Sequence, residues 1–226
     1  MVEEAEALVN ATARQLLAQV DKPVSELRDW LDKDRNGIQT GPFGAQLGSN
    51  DFVDSGVPIV TIGNVQHGGL NIDGLRYVTP EKASNLERFV IEQGDILFAR
   101  MGTVGRSCVA PAFAEGWLYN YHIIRVALDN NRIEPRYIHW TIRASADVEK
   151  YLNERIRGAT RQGVNSDIVG SLPCRVPEIS EQHHIVAYLD GLQAKVDELR
   201  RLQAETQKEL DALMPSVLAR AFAGEL

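Results

Sequence analysis

Between residues 172 and 189 the chain changes its period, and that change limits the folds open to it. The passage reads Leu172-Pro-Cys-Arg-Val-Pro-Glu-Ile-Ser-Glu-Gln-His-His-Ile-Val-Ala-Tyr-Leu189. Pro173 and Pro177 disfavour helix in the residues just before them, so this segment is expected to be extended. Ser180 stands where an N-cap belongs, with Glu181 in the first turn facing the positive end of the helix dipole. An apolar stripe follows at Ile185, Leu189, Leu192, Val196 and Leu199, passes through polar Gln203 and Thr206, and resumes at Leu210, Leu213 and Val217. Steps alternating between four and three residues are the seam of a coiled coil or of two packed helices. At about 1.5 Å per residue the stripe spans roughly 48 Å, far more than a compact domain needs to close its own core. It reads as a spacer.

The rest of the chain divides around this helix. Residues 1–20 carry a shorter version of the stripe at Val2, Ala5, Val9, Thr12, Leu16 and Val20, and Asp21-Lys22-Pro23 ends it. Ser25, Glu26 and Leu27 open a short helix through Leu31. Residues 21–178 switch to the strand period. Pro58–Ile62, Arg76–Thr79, Asp95–Ala99, Ser107–Ala110 and His122–Ala127 are short, β-branched and bounded by Gly, Asn or Asp. Pro135–Ile142, with Pro in its first turn, and Ala146–Arg155 read as helices. Strands and helices in no regular alternation predict an α+β fold. The expected architecture is one mixed domain with a curled, mostly antiparallel sheet over residues 21–178. A short helix (1–20) and a long coiled-coil-like helix (179–226) flank it.

With 226 residues and 44% hydrophobic content, the chain can bury a core and carry one appended helical element. No secretory pattern and no apolar run of the roughly 18 residues of a membrane span occur, which predicts a cytoplasmic location away from membranes. Cys108 and Cys174 fit no metal spacing and are expected to be reduced and structural. A net charge of −7 argues against a nucleic-acid partner. The charge is uneven, however. Residues 1–20 hold one Arg against three Glu, and residues 180–226 hold five basic against eight acidic groups, so the middle keeps only −2. Within it Arg155, Arg157 and Arg161 cluster with no acid between residues 155 and 166. Local field governs binding more than total charge.

Enzyme signatures are missing. There is no G-x-x-x-x-G-K-[ST] loop, no strand-bound G-x-G-x-x-G, no nucleophile elbow and no [DN]-P-P-[YF] tetrad. Gly102-Thr-Val-Gly105 reads as a hairpin turn and Asp147-Val-Glu-Lys150 as a solvated helix face. His183 and His184 are adjacent, so they point apart and cannot share a metal. No catalytic or metal-ligating residue is assigned.

The middle does contain glycine-rich turns that carry polar and basic side chains. They are Gln39-Thr-Gly-Pro-Phe-Gly44, Gly63-Asn-Val-Gln-His-Gly-Gly69, Ala99-Arg-Met-Gly-Thr-Val-Gly105 and Gly158-Ala-Thr-Arg-Gln-Gly-Val-Asn165. Arg, Gln, Asn and Thr read base edges or grip phosphates, and glycine lets the backbone approach closely. Asn64, Gln66, Arg100, Thr103, Arg106, Arg161, Gln162 and Asn165 are therefore the candidate DNA-contacting residues.

Four segments in this order resemble one half of a type I restriction–modification specificity subunit. They are Gly41-Pro-Phe-Gly44, Gly94-Asp-Ile-Leu-Phe-Ala-Arg-Met-Gly-Thr-Val-Gly105, Gly158-Ala-Thr-Arg-Gln-Gly-Val, and Leu172-Pro through Glu181-Gln-His-His-Ile-Val186. Residues 213–226 are also similar to the end of that family's helical region. Such subunits usually hold two target recognition domains and two helical regions, whereas this chain has one of each. The resemblance implies a non-catalytic reader of double-stranded DNA that positions adenine methyltransferase (modification) subunits and, in a full complex, a restriction and translocation subunit. S-adenosylmethionine, ATP and magnesium are then expected only on those partners. Ile185, Leu189, Leu192, Val196, Leu199, Leu210 and Leu213 would join a partner helix, most simply in a homodimer that reads a gapped inverted repeat. Two other readings stay open: the recognition module of a related restriction–modification enzyme, and a coiled-coil adaptor or scaffold whose globular domain binds protein.

Overall fold

The computed structural model describes residues 2–102, 105–156 and 163–223. In chain order its elements are α1 (Val2–Ala18), β1 (Val24–Glu26), β2 (Ile38–Thr40), β3 (Phe52–Val53), β4 (Val57–Val60), β5 (Val65–Gln66), β6 (Gly69–Leu70), β7 (Arg76–Val78) and α2 (Pro80–Ser84). Then follow β8 (Ile96–Ala99), β9 (Ser107–Val109), β10 (Leu118–Tyr119), β11 (Ile123–Val126), α3 (Pro135–Ala144), α4 (Ala146–Ile156), α5 (Ser166–Gly170), β12 (Pro173–Arg175) and α6 (Ile179–Phe222). Two compact units emerge, one of residues 13–186 and one of residues 1–12 with 187–226.

The larger unit is built on two four-stranded sheets, ordered β2-β11-β8-β9 and β10-β4-β7-β3. Every residue of β8 and β11 is buried, as expected for central strands covered on both faces. Alternation then sorts the side chains. Leu97, Ala99 and Ile123 join Ile59, Val60, Val78, Leu118 and Tyr119 in one core between the sheets. Ile96 and Phe98 point the other way, and α3 covers that side against β9. The expected α+β class and antiparallel character hold, since among the described residues only β4–β10 is a parallel pair. The strands are shared among separate sheets, because runs of two to four residues are too short to extend one sheet around the core.

Entry to and exit from this unit are paired. β1 and β12 run antiparallel with Val24 opposite Arg175 and Glu26 opposite Pro173. The Ser25 hydroxyl donates to the Cys174 carbonyl (3.0 Å), Trp30 Nε1 donates to Ser25 Oγ (2.8 Å), and the Tyr137 hydroxyl donates to the Arg175 carbonyl (2.6 Å). The short helix expected from Ser25 is a 3-10 turn at Leu27–Trp30, and Ser25 lies in the strand. Cys108 and Cys174 are free and buried, and burial pushes both thiols up to about 12.

α6 starts earlier than Ser180. The Glu178 carbonyl already accepts from Glu181 N and Gln182 N, so Ser180 lies inside the first turn and is not the cap. Within the smaller unit, Glu6 of α1 forms an ion pair with Arg200 of α6. Val9, Leu189 and Val196 are buried. Past Val196 the stripe is uncovered: Leu199 is 47% exposed, Leu210 53% and Leu213 58%. Polar pairs at helical spacing lace this stretch, with Arg201 bridging Glu198 and Glu205, and Gln207 donating to Asp211.

Candidate nucleic-acid interface

The larger unit draws several of the glycine-rich turns together. β8 and β9 pair with Ile96 opposite Val109, so Arg100 follows the end of β8 and Arg106 precedes the start of β9. Arg100 leaves β8 with its amide donating to the His122 carbonyl (2.9 Å) and its carbonyl accepting from Val164 N (2.9 Å). Met101 forms a β-bridge with Gly163. A side chain at Gly163 would stand 2.9 Å from the Arg100 carbonyl, so only glycine lets these turns meet. The 39–44 turn joins from the other side. Gly41 N donates to the Ile123 carbonyl (3.1 Å), and a Cβ there would lie 2.2 Å from the Asn120 carbonyl oxygen. Gly163 and Val164 thus reach the backbone at Arg100 and Met101, while the 39–44 turn reaches the 120–123 segment that leads into β11.

The side chains at this junction are basic and aromatic. Arg100 Nη1 donates to the Tyr121 carbonyl (3.0 Å), and the Arg106 guanidinium lies against Gly102. The Nε of each arginine is buried without a hydrogen-bond partner, and neither forms an ion pair with a described acid. Several other arginines of the unit do pair with acids: Arg14 with Glu149, Arg35 with Asp95 and Glu92, and Arg175 with Asp147. Tyr121 is 41% exposed and packs against His122 with ring centroids 3.8 Å apart and the planes tilted by 38°. Burial, and then the neighbouring Arg100 charge, hold the His122 pKa below its ordinary value. The imidazole is therefore neutral near pH 7, able to donate from one nitrogen and accept at the other. Met101 and Phe43 are exposed nearby in sequence to these contacts.

The eight candidates fare differently. Arg100 and Arg106 are joined through the backbone, the Arg106 carbonyl accepting from Ala99 N (2.9 Å). Gln66 is exposed on the β5–β6 hairpin, with its side-chain amide donating to the Gly63 carbonyl (3.0 Å). Asn165 is exposed too, but its Oδ1 caps α5 by accepting from Ile168 N (2.8 Å). Asn64 is a correction. It is 1% exposed, its Oδ1 accepts from Thr61 N and Oγ1, and its Nδ2 donates to the Asn71 and Asp73 carbonyls. A buried amide with its bonding capacity used holds a turn and cannot reach a base edge. Thr103, Arg161 and Gln162 lie outside the described residues. Tyr121 and His122 were absent from the sequence candidates because Tyr119-Asn-Tyr-His122 leads into a strand pattern. Two aromatics flanking an Asn and preceding a histidine were the available signal.

Among the described residues no group of three or more His, Cys, Asp or Glu stands together to hold a metal, and no helix is long and apolar enough to cross a membrane. His183 Nε2 lies 3.4 Å from the Glu134 carboxylate.

Three similarities to known proteins accompany this geometry. The EcoBI specificity subunit of Escherichia coli, a type I restriction enzyme component, is 23% identical over 176 residues, covering 78% of this chain and 37% of that one. A chain solved in work on complex assembly and conformational transition of the type I R-M system superposes with a TM-score of 0.71 at 21% identity, covering all of this chain and 53% of the other. The HsdS subunit of Thermoanaerobacter tengcongensis gives 0.61 at 23% identity, covering 100% and 52%. The chain thus spans about two fifths of the first relative and half of each solved chain. The family profile of the type I restriction modification DNA specificity domain matches residues 44–208, well over half of the sequence, and the chain belongs to that family.

Proposed function

We propose that this chain reads a DNA sequence for a type I restriction–modification complex and performs no chemistry itself. The observation that supports this best is the junction of Arg100 and Arg106 with Tyr121. Arg100 bonds the backbone of the exposed Tyr121, Arg106 lies across the ladder from Ala99, and neither forms an ion pair with a described acid, in a chain of net charge −7. Phosphate oxygens or a guanine edge supply the missing acceptors. The chain would position modification subunits, and a restriction subunit where one is present, in the cytoplasm. S-adenosylmethionine, ATP and magnesium would belong to those partners.

Self-association completes the reading. The uncovered Leu199, Leu210 and Leu213 would bury against a second copy, and two copies would match the length of the solved chains that this one half covers. A two-fold pair with one reader each meets DNA as an inverted repeat with an unread gap. The test is a map of methylated adenines in a host carrying the complex. Two identical half-sites at one spacing are expected, and Arg100→Ala should relax one half-site position by about 1–3 kcal/mol if it reads a base. Retention of every base preference in both Arg100→Ala and Arg106→Ala would remove this junction from the interface.

A further inference from the structure

Gln182 occupies a seam position of α6 where a leucine would pack more simply. It is 0% exposed. Buried positions at Gln182, Val186, Leu189 and Val196 fall on one face, so the amide continues the apolar stripe toward the helix start. Its Oε1 accepts from Glu134 N (2.9 Å), and its Nε2 donates to the Arg132 carbonyl (3.1 Å) and to the Pro177 carbonyl (2.9 Å). One side chain thereby ties the turn that starts α3 to the segment that starts α6. His183 adds a contact to the Glu134 carboxylate, which itself caps α3. A buried amide contributes little net stability over an apolar residue, but it tolerates only one arrangement of its partners.

We propose that Gln182 is a positioning residue: it fixes the root of α6 on the recognition unit, and so the gap between the two half-sites. The gap rests on the two-copy reading above; the anchoring does not. α6 runs unbroken from Ile179 to Phe222, so any tilt at its root is carried along its length. Over about 36 residues beyond Val186 the lever is roughly 54 Å, and a tilt of about 5° moves its end by roughly 5 Å, more than the ~3.4 Å rise of one base pair. Loose anchoring would blur the gap without touching the reading face.

The experiment uses the full chain in complex with its partners. Spin labels at Glu115→Cys and Lys208→Cys report the distance distribution between the unit and the helix, since native Cys108 and Cys174 are buried and unreactive. Gln182→Met keeps length and helix propensity but removes all three hydrogen bonds. It should widen that distribution about twofold, and lower discrimination against gaps one base pair longer or shorter by about tenfold, the equivalent of one or two hydrogen bonds. Half-site base preference should not change. An unchanged distance distribution overturns the proposal, as does loss of half-site preference in step with gap preference. Should Gln182→Met fail to fold, Gln182→Glu, which keeps the acceptor for Glu134 N and loses both donors, is read the same way. A wild-type target without paired half-sites sinks the two-copy reading, while the label distances still decide the anchoring.

Discussion

β8 and the far half of α6 are both rich in large apolar residues, yet they end in opposite environments. Ile96, Leu97 and Phe98 are fully buried, each facing a partner layer supplied by the same chain. Leu199, Leu202, Leu210 and Leu213 stand 45–58% exposed on a helix that Arg201, Glu198 and Glu205 keep well solvated. The strand answers to hydrophobic burial within its own unit. The helix holds an apolar surface that the described residues leave exposed. One region is finished by folding, and the other is not.

Core truncation should expose that contrast most strongly. Phe98→Ala removes a wholly buried ring and should cost the larger unit about 3–5 kcal/mol in a urea melt. Loss below about 1 kcal/mol would mean that the strand layer is far more plastic than its packing indicates. The mirror experiment is Leu210→Glu with Leu213→Glu. The melt of the larger unit should shift by less than about 0.5 kcal/mol, as for other exposed sites, while light scattering shows the self-associated species gone. Equal masses for wild type and variant would show that this surface serves no copy of the chain.

A finer probe is acid. His139 donates from Nε2 to the His67 carbonyl (3.2 Å), lies 3.4 Å from Ser107 Oγ, and burial pushes its pKa down to about 4. The unfolded chain takes up its proton near pH 6.5, the folded unit only near pH 4. Its contribution is therefore full above about pH 6.5 and lost as pH falls toward 4, with a slope below about 1.4 kcal/mol per pH unit. His139→Gln should flatten that slope. A slope unchanged in the variant would assign the acid response to other groups.

Much of the fold was legible because its longest signals are local. Pro135 at a helix start, the Ala146–Arg155 pattern and the strand runs at 96–99 and 123–126 all follow from spacing alone. Two-residue strands such as Leu118–Tyr119 were not, since their pairing with Ile59 and Val60 is decided by packing across the chain. The candidate interface divides along the same line. A glycine-rich turn marks where a backbone must bend or approach, and that is how Arg100 and Arg106 became candidates. The same composition also builds turns held from inside, which is why Asn64 had to be withdrawn. Gln182 was passed over because a polar residue on an amphipathic helix reads as solvent-facing until its partners are seen.

The pairing of β1 with β12 has a consequence for modularity. Cα atoms opposed across an antiparallel ladder lie about 5 Å apart, so Val24 and Arg175 are neighbours although 150 residues separate them. Everything between them is a cassette held by two adjacent splice points. A foreign segment would have to restore this short ladder, a tyrosine bonded to the residue-175 carbonyl, and backbone groups at 132 and 134 that receive Gln182. Exchange of the segment then depends on a few joints and not on the whole of its surface.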